Sequence, residues 1–205
     1  MSKILITGGA GFIGSQLSLS LKKDGHHVTI VDNMSYGYED NLFVDDEPVC
    51  NNFVNVDIRS KQMFAEMSQD IDYIYHFAGI SSLPVCQSNP YEAIDVNTAG
   101  TAQVLEAARC LGAKRVIFAS TSAIYENDKS FPNKEADDSS PDLIYSMSKL
   151  QAEMICKSYY ENYGLEVVIL RYHNVYGPHQ DYRRKSPPFV GYVLKNLIQE
   201  KPIVL

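Results

Sequence analysis

Apolar and polar positions fall in alternating blocks along this chain. Short runs rich in β-branched and aromatic residues (KILIT from Lys3, HVTIVD from His27, FVNVDI from Phe53, IDYIYHFAG from Ile71, RVIFAS from Arg115 and EVVILR from Glu166) are each followed by a polar or helical stretch. Runs of this kind, apolar without strict alternation, belong to strands buried on both faces. Between them the spacing turns helical. Phe12, Ile13, Leu17 and Leu21 share one side of a helix that Asp24-Gly25 ends, and Met63, Phe64 and Met67 mark a second between Ser60 and Asp70. Asn89-Pro90 opens a third, with Ala93, Ile94, Val96, Leu105 and Ala108 as apolar positions and Gly112 as its stop. A fourth runs from Leu143 to Tyr163 before Gly164, and a last from Phe189 to Glu200, after which PIVL begins another strand. Six alternations of strand and helix predict an α/β fold: a doubly wound parallel sheet with helices on both faces and right-handed crossovers. Asn33 to Asn52, Glu126 to Pro141 and the residues after Arg171 read as loops, the first with a short helical turn.

Composition adds exclusions. A chain of 205 residues can bury a sizeable core, and no apolar run approaches the length of a membrane span. MSK leads straight into a strand with no signal-peptide core, which predicts a cytoplasmic protein. The net charge of −7 and the absence of a long basic face disfavour nucleic acid as partner. Cys50, Cys86, Cys110 and Cys156 are widely spaced and form no C-x-x-C, so they read as buried thiols, with neither a disulfide framework nor a metal site.

The chemistry begins in KILITGGAGFIG. Glycines at 8, 11 and 14, and equally at 9, 11 and 14, sit between the first strand and the first helix. That is where a pyrophosphate needs close backbone approach and the free N–H groups of a helix N-terminus. Asp32 ends the second strand, at the distance expected of an acid that binds an adenosine ribose, and with no Arg close behind it the choice falls on NAD over NADP. Tyr145 and Lys149 lie one helical turn apart. A phenol with an ordinary pKa near ~10 needs nearby positive charge to act as a base, from Lys149 or from an oxidised nicotinamide ring. Ser122, delivered by the fifth strand, is the candidate donor to a substrate oxygen.

TGGAGFIG, VDN, VDI, HFAG, STSAIY, YSMSK and RYHNVYGP, in that order, together resemble the extended short-chain dehydrogenases/reductases, and more narrowly the NAD-dependent nucleotide-sugar epimerases/dehydratases with their Rossmann domain. The resemblance implies Ser122, Tyr145 and Lys149 as catalytic residues, Tyr145 as base and acid and Lys149 also holding the nicotinamide ribose. It implies cofactor contacts from Gly8, Gly11, Phe12, Ile13, Gly14 and Asp32, from Asp57 and Ile58 at the adenine, from Phe77, Ala78 and Gly79 along the middle, and from Tyr172 and His173 at the nicotinamide end. Asn33, Asn97 and Ser120 join the cofactor set. Ser81, Ser122, Tyr145 and Asn174 would meet the sugar nucleotide, a UDP-linked one. No metal is implied.

The resemblance divides the chain into a cofactor domain at 1–180 and the start of a substrate lobe at 181–205, most of which the relatives supply further on. Arg183, Arg184 and Lys185 are weak candidates for its diphosphate-binding cations. It also implies a homodimer through the helices at 90–111 and 143–163. The 4,6-dehydratases carry an Asp-Glu pair directly after their catalytic hydroxyl residue; after Ser122 this chain has Ala123 and Ile124. That favours a 4-epimerase working through a transient 4-keto sugar. A catalytically silent NAD-binding fragment and a nucleotide-sugar dehydratase or reductase are the alternatives, and the expectation for residues 1–205 alone is NAD binding with weak or no turnover. Glu126, where relatives have glycine, and His173, where an apolar aromatic is common, would both sit near the substrate mouth.

Overall fold

The computed structural model describes residues 1–61, 70–129, 132–137, 139–184 and 187–203. The strands are β1 Lys3–Thr7, β2 His27–Asp32, β3 Phe43–Val44, β4 Glu47–Pro48, β5 Asn52–Asn55, β6 Tyr73–His76, β7 Arg115–Thr121 and β8 Val167–Tyr172. The helices are α1 Phe12–Lys23, α2 Leu83–Ser88, α3 Pro90–Ile94, α4 Gly100–Cys110, α5 Ile144–Tyr163 and α6 Phe189–Ile198. Six strands make one parallel sheet in the order β5-β2-β1-β6-β7-β8, while β3 and β4 pair antiparallel as a small hairpin inside the stretch read as loop. The chain winds outward from β1 in one direction and from β6 in the other. Adjacent strands therefore send their following segments to opposite faces at β1/β6, leaving a crevice at their carboxyl ends.

Each face of the sheet has its own core. Leu5, Val31, Ile74, Val116 and Phe118 project to one side, where α4 and α5 supply Val104, Leu105, Ala108, Ala152 and Cys156. Ile4, Ile6, Val28 and Ile30 project to the other, under Leu17, Leu19 and Leu21 of α1. This is the two-sided burial that the continuous apolar runs predicted. No helix among the described residues is long and apolar enough to cross a membrane.

The helices depart from the sequence reading in informative ways. The apolar residues assigned to α1 are only half buried; its buried residues are Gly14, Ser15 and Ser18, because the helix lies too close to the β1 turn for anything larger. The helix opened by Asn89-Pro90 does run to Cys110, but a π turn at Asp95–Ala99 divides it. The wider turn changes the helical phase, so one wheel cannot describe both halves, and Ile94 is 41% exposed instead of buried. Cys50, Cys86 and Cys156 are buried as expected; Cys110, on the last turn of α4, is exposed. Helix α2 was not foreseen, and α6 stops at Ile198. The helix expected around Met63, Phe64 and Met67 lies outside the described residues. Pro202 and Ile203 have no regular structure, and the rest of PIVL is likewise outside.

One buried polar chain crosses the centre of the sheet. Thr101 Oγ1 donates to the Asn97 carbonyl at 2.6 Å, so it accepts from His76 Nε2 at 3.0 Å. His76 Nδ1 is then the acceptor for the Thr7 hydroxyl at 2.7 Å, and Thr7 Oγ1 in turn receives the Ala78 N–H at 3.4 Å. Every group has a partner only while His76 is neutral. Burial, with Lys149 nearby, pushes the imidazole down to about 3 from its ordinary 6.5. Below 6.5 the unfolded chain takes up a proton that the folded chain refuses, so this contribution is complete above pH 6.5 and is lost as pH falls toward 3. The wild type is expected to lose on the order of 4 kcal/mol across that window from this residue. Urea unfolding of wild type and His76→Gln at pH 7 and pH 4 checks it: the gap between them narrows at the lower pH, and parallel pH profiles would contradict the assignment.

Candidate active site

The crevice at β1/β6 is shaped by glycines with different jobs. Gly8 has φ +72°, and a Cβ there would lie 2.5 Å from the Ala78 nitrogen; a Cβ on Gly14 would lie 2.4 Å from the Gly8 carbonyl oxygen. These two are required by the fold itself. A Cβ on Gly11 would meet only the Gly8 oxygen, at 3.2 Å, and otherwise face open space at the N-terminus of α1. Gly11 is the N-cap, contributes no side-chain cap, and the first turn contains no acid. A helix end with unfilled N–H groups and an open glycine cradle fits a pyrophosphate.

Asp32 is 8% exposed at the end of β2, and its two oxygens accept from the Ala10 N–H at 3.0 Å and the Met34 N–H at 2.9 Å. Burial raises its pKa, partly opposed by those two bonds. Asn33 and Asp57 come together as expected, with Asn33 Nδ2 donating to Asp57 Oδ2 at 2.8 Å. Asp57 also pairs with Arg59 at 2.7 Å, and hydrogen bonds from that guanidinium hold it down to about 2. Ile58 is buried against Gly100. Phe77, Ala78 and Gly79 line the β6 side of the crevice, half buried, and the Tyr172 ring lies 6.5 Å from that of Phe77.

Asn97 serves a different purpose from the one its place in the cofactor set implies. It is 1% exposed and fully engaged: Oδ1 accepts from the Ile80 N–H at 2.8 Å, and Nδ2 donates to the Ile80 carbonyl and to Ser148 Oγ, both at 3.0 Å. It ties the β6 loop to α5. Ser120 is likewise occupied, its hydroxyl donating to Glu153, which Arg171 pairs at 2.7 Å. Ser81, His173 and Asn174 lie exposed on the loops after β6 and β8.

The acid–base groups converge where β7 ends beside α5. Tyr145 sits in the first turn of α5 and Lys149 one turn on. The hydroxyl that bears on the Tyr145 phenol, favouring its ionised form, is Thr121 and not Ser122. Three hydroxyl residues in a row gave the sequence no means of ranking them. Ser120 is turned under α5 toward Glu153, Ser122 is carried into a 3-10 turn at Ser122–Tyr125, and Thr121 is left at the mouth. The residues after Thr121 are Ser122 and Ala123, so the missing acid pair persists under the corrected assignment.

The charges also differ from expectation. Burial raises the Tyr145 pKa, with Thr121 pulling the other way and the Cys86 thiol of α2 adding to the rise. Lys149 does not offset this. Its ammonium lies 4.6 Å from the centre of the Phe118 ring, and burial lowers it to about 8. Desolvation weighs against both ionised forms, so the protein alone holds a neutral phenol.

Glu126, expected near the substrate mouth, is a helix-end ligand: it accepts the Asp142 and Leu143 N–H groups and the Ser146 hydroxyl. Arg183 is not free for a diphosphate, lying 3.5 Å from the Tyr38 ring centre and 3.5 Å from Asp40. Lys185 lies outside the described residues. The loop carrying Arg183 also returns to α1, where the His179 ring is 2.9 Å from Ser15 Oγ.

A doubly wound sheet with a glycine cradle, a buried acid at the end of β2 and a Thr/Tyr/Lys cluster is the arrangement of a dinucleotide-dependent oxidoreduction site. The chain belongs to the NAD dependent epimerase/dehydratase family, whose model matches residues 4–205, and its cofactor is NAD. It is 34% identical over 203 residues to a putative UDP-glucose 4-epimerase of Methanocaldococcus jannaschii, covering 98% of this chain and 65% of that one. Identity to a UDP-N-acetyl-alpha-D-glucosaminuronate decarboxylase of Bacillus cytotoxicus is 38%, covering 93% and 59%. Among solved structures, a UDP-N-acetylglucosamine 4-epimerase from Methanobrevibacter ruminantium in complex with UDP-N-acetylmuramic acid superposes with TM-score 0.93 at 30% identity, over 100% of this chain and 65% of that one. The chain thus spans under two thirds of these relatives' length.

The two kinds of glycine separate in a direct test. Gly11→Ala is expected to keep the fold and weaken NAD about 10-fold or more, the scale of one or two charge-assisted hydrogen bonds. Gly14→Ala is expected to destabilise the protein by about 1–3 kcal/mol, the scale of overpacking. Calorimetry with NAD and urea unfolding read the two effects; equal behaviour of the variants would refute the distinction.

Proposed function

We propose that this chain carries the cofactor half and the acid–base groups of a nucleotide-sugar 4-epimerase. The observation that carries the reading is that β7 ends in Thr121 where α5 brings Tyr145 and Lys149, with no carboxylate in the two residues after Thr121. NAD, when bound, accepts hydride from C4 of the sugar and returns it. Gly11 and the α1 N-terminus would hold its pyrophosphate and Asp32 its adenosine ribose. Tyr145 takes the proton of the 4-hydroxyl and gives it back. Thr121 favours the phenolate, and an oxidised nicotinamide ring, when bound, would add positive charge beside the phenol to that of Lys149, whose ammonium burial lowers to about 8. A dehydratase must also move a proton at C5, and no acid stands after Thr121 to do so.

The test is incubation with NAD and UDP-glucose or UDP-N-acetylglucosamine. Turnover by residues 1–205 alone is expected to be weak, and the C4 epimer that does form is expected without accumulation of reduced cofactor; Tyr145→Phe is expected to slow its formation by about 10²–10⁴-fold, and Thr121→Ala to slow it more than Ser122→Ala does. Accumulating NADH would indicate net oxidation of the sugar, the reverse direction of a reductase, and loss of water from the sugar a dehydratase. Evolution of carbon dioxide from a UDP-uronic acid would place the chain with the decarboxylase relatives instead.

Dimerisation through α3–α4 and α5 belongs to the same proposal. These helices leave Tyr91 at 81%, Met154 at 64% and Tyr163 at 61% exposure, apolar area of the kind that interfaces cover. Sedimentation is expected to show a dimer that Met154→Glu weakens; an unchanged distribution would rule out this face.

A further inference from the structure

We propose that Glu126 is a positioning residue that fixes how the end of β7, which carries Thr121, meets the start of α5, which carries Tyr145. The inference rests on the reading of Tyr145 as the acid–base group. Helix α5 begins without provision of its own: its N-cap residue, Leu143, has no side chain to cap with, and no acid occupies its first turn. Glu126 brings a carboxylate to that end from outside, while Gln87 Oε1 accepts the Ile144 N–H at 3.3 Å. Glu126 Oε1 accepts the N–H groups of Asp142 at 2.6 Å and Leu143 at 2.8 Å, and its Oε2 accepts the Ser146 hydroxyl at 2.8 Å. The carboxylate therefore holds residues on both sides of Tyr145 while standing five positions after Thr121, across the single 3-10 turn.

A second tie brackets the same junction from the other side. Ser120, immediately before Thr121, donates to Glu153 of α5; Glu153 is paired with Arg171, which donates to Tyr125, immediately before Glu126. On the strand Thr121 thus lies between two anchors, Ser120 and Glu126, and on the helix Tyr145 lies between Leu143 and Ser146, both held by Glu126, with Glu153 two turns further on. Asn127 closes the base of the intervening loop by donating to the Ser140 carbonyl at 2.8 Å and to Asp142 at 3.0 Å. Neither strand end nor helix end can shift alone while Glu126 holds. Facing the Tyr145 phenol are Thr121 from β7, the Cys86 thiol from α2 and Lys149 on its own helix.

The experiment follows the Tyr145 ring directly, by ¹³Cζ-tyrosine NMR of the NAD-loaded chain, with Tyr145→Phe spectra identifying its resonance. Glu126→Gln keeps the acceptor oxygen and the reach and is expected to leave the Tyr145 shift and titration at their wild-type positions. Glu126→Asp keeps the charge but withdraws it by one methylene, and it is expected to move the Tyr145 titration upward as Thr121 draws away; Glu126→Ala should move it further. NAD affinity by calorimetry is expected to change less than 3-fold in all three. A wild-type-like Tyr145 in Glu126→Asp and Glu126→Ala overturns the proposal, as does a Glu126→Gln variant that behaves like alanine, which would mean that charge alone matters. If Glu126→Ala does not fold, the Gln and Asp pair decides. A chain whose Tyr145 responds as described but which converts no sugar nucleotide would sink the epimerase reading and leave the positioning role standing.

Discussion

Everything in this molecule hangs on how closely three backbone segments meet at the β1/β6 crevice. The Gly8 backbone packs against Ala78, and Gly14 packs against Gly8, both nearer than any side chain allows. That approach draws the end of β1, the N-terminus of α1 and the loop after β6 into one corner. A larger residue at either position would push α1 outward and open the helix end that receives the pyrophosphate. The small buried face of α1, Gly14, Ser15 and Ser18, is the same constraint continued one turn along.

From that corner, order passes to the reacting groups through buried polar side chains with all their partners in place. Thr7, His76, Thr101 and Asn97 form one directed chain, and Asn97 then holds both Ile80 and Ser148. The π turn at Asp95–Ala99 sits at its centre, and Thr101 takes up the Asn97 carbonyl. Such a chain tolerates neither a missing partner nor an extra proton, so it specifies one arrangement of β6, α4 and α5. Burial has an electrostatic consequence as well. With Lys149 lowered to about 8 and Tyr145 raised, the protein by itself withholds the base. Positive charge brought beside such a phenol favours its ionisation.

Much of this was legible in the residues. Strand-length apolar runs with helical stretches between them specify a parallel sheet covered on both faces, because only strands buried on both sides dispense with polar alternation. Gly8, Gly11 and Gly14 before a helix, with Asp32 after the next strand, specify a dinucleotide, because backbone approach and a ribose-facing acid are local requirements at fixed separations. Tyr145 and Lys149, one turn apart, needed only helical geometry to be paired.

Tertiary structure alone decided which of three consecutive hydroxyls bears on Tyr145, since Ser120, Thr121 and Ser122 part company only where strand gives way to 3-10 turn. It decided that Asn97 holds secondary structure together and that Glu126 belongs to a helix 16 or more residues away. It also lowered the basicity of Lys149, because the cost of burying a charge depends on surroundings that sequence spacing does not contain. Periodicity and short motifs determine what is set by neighbours along the chain; the choice among chemically equivalent side chains, and the charge each one carries, is set by what the fold brings against them.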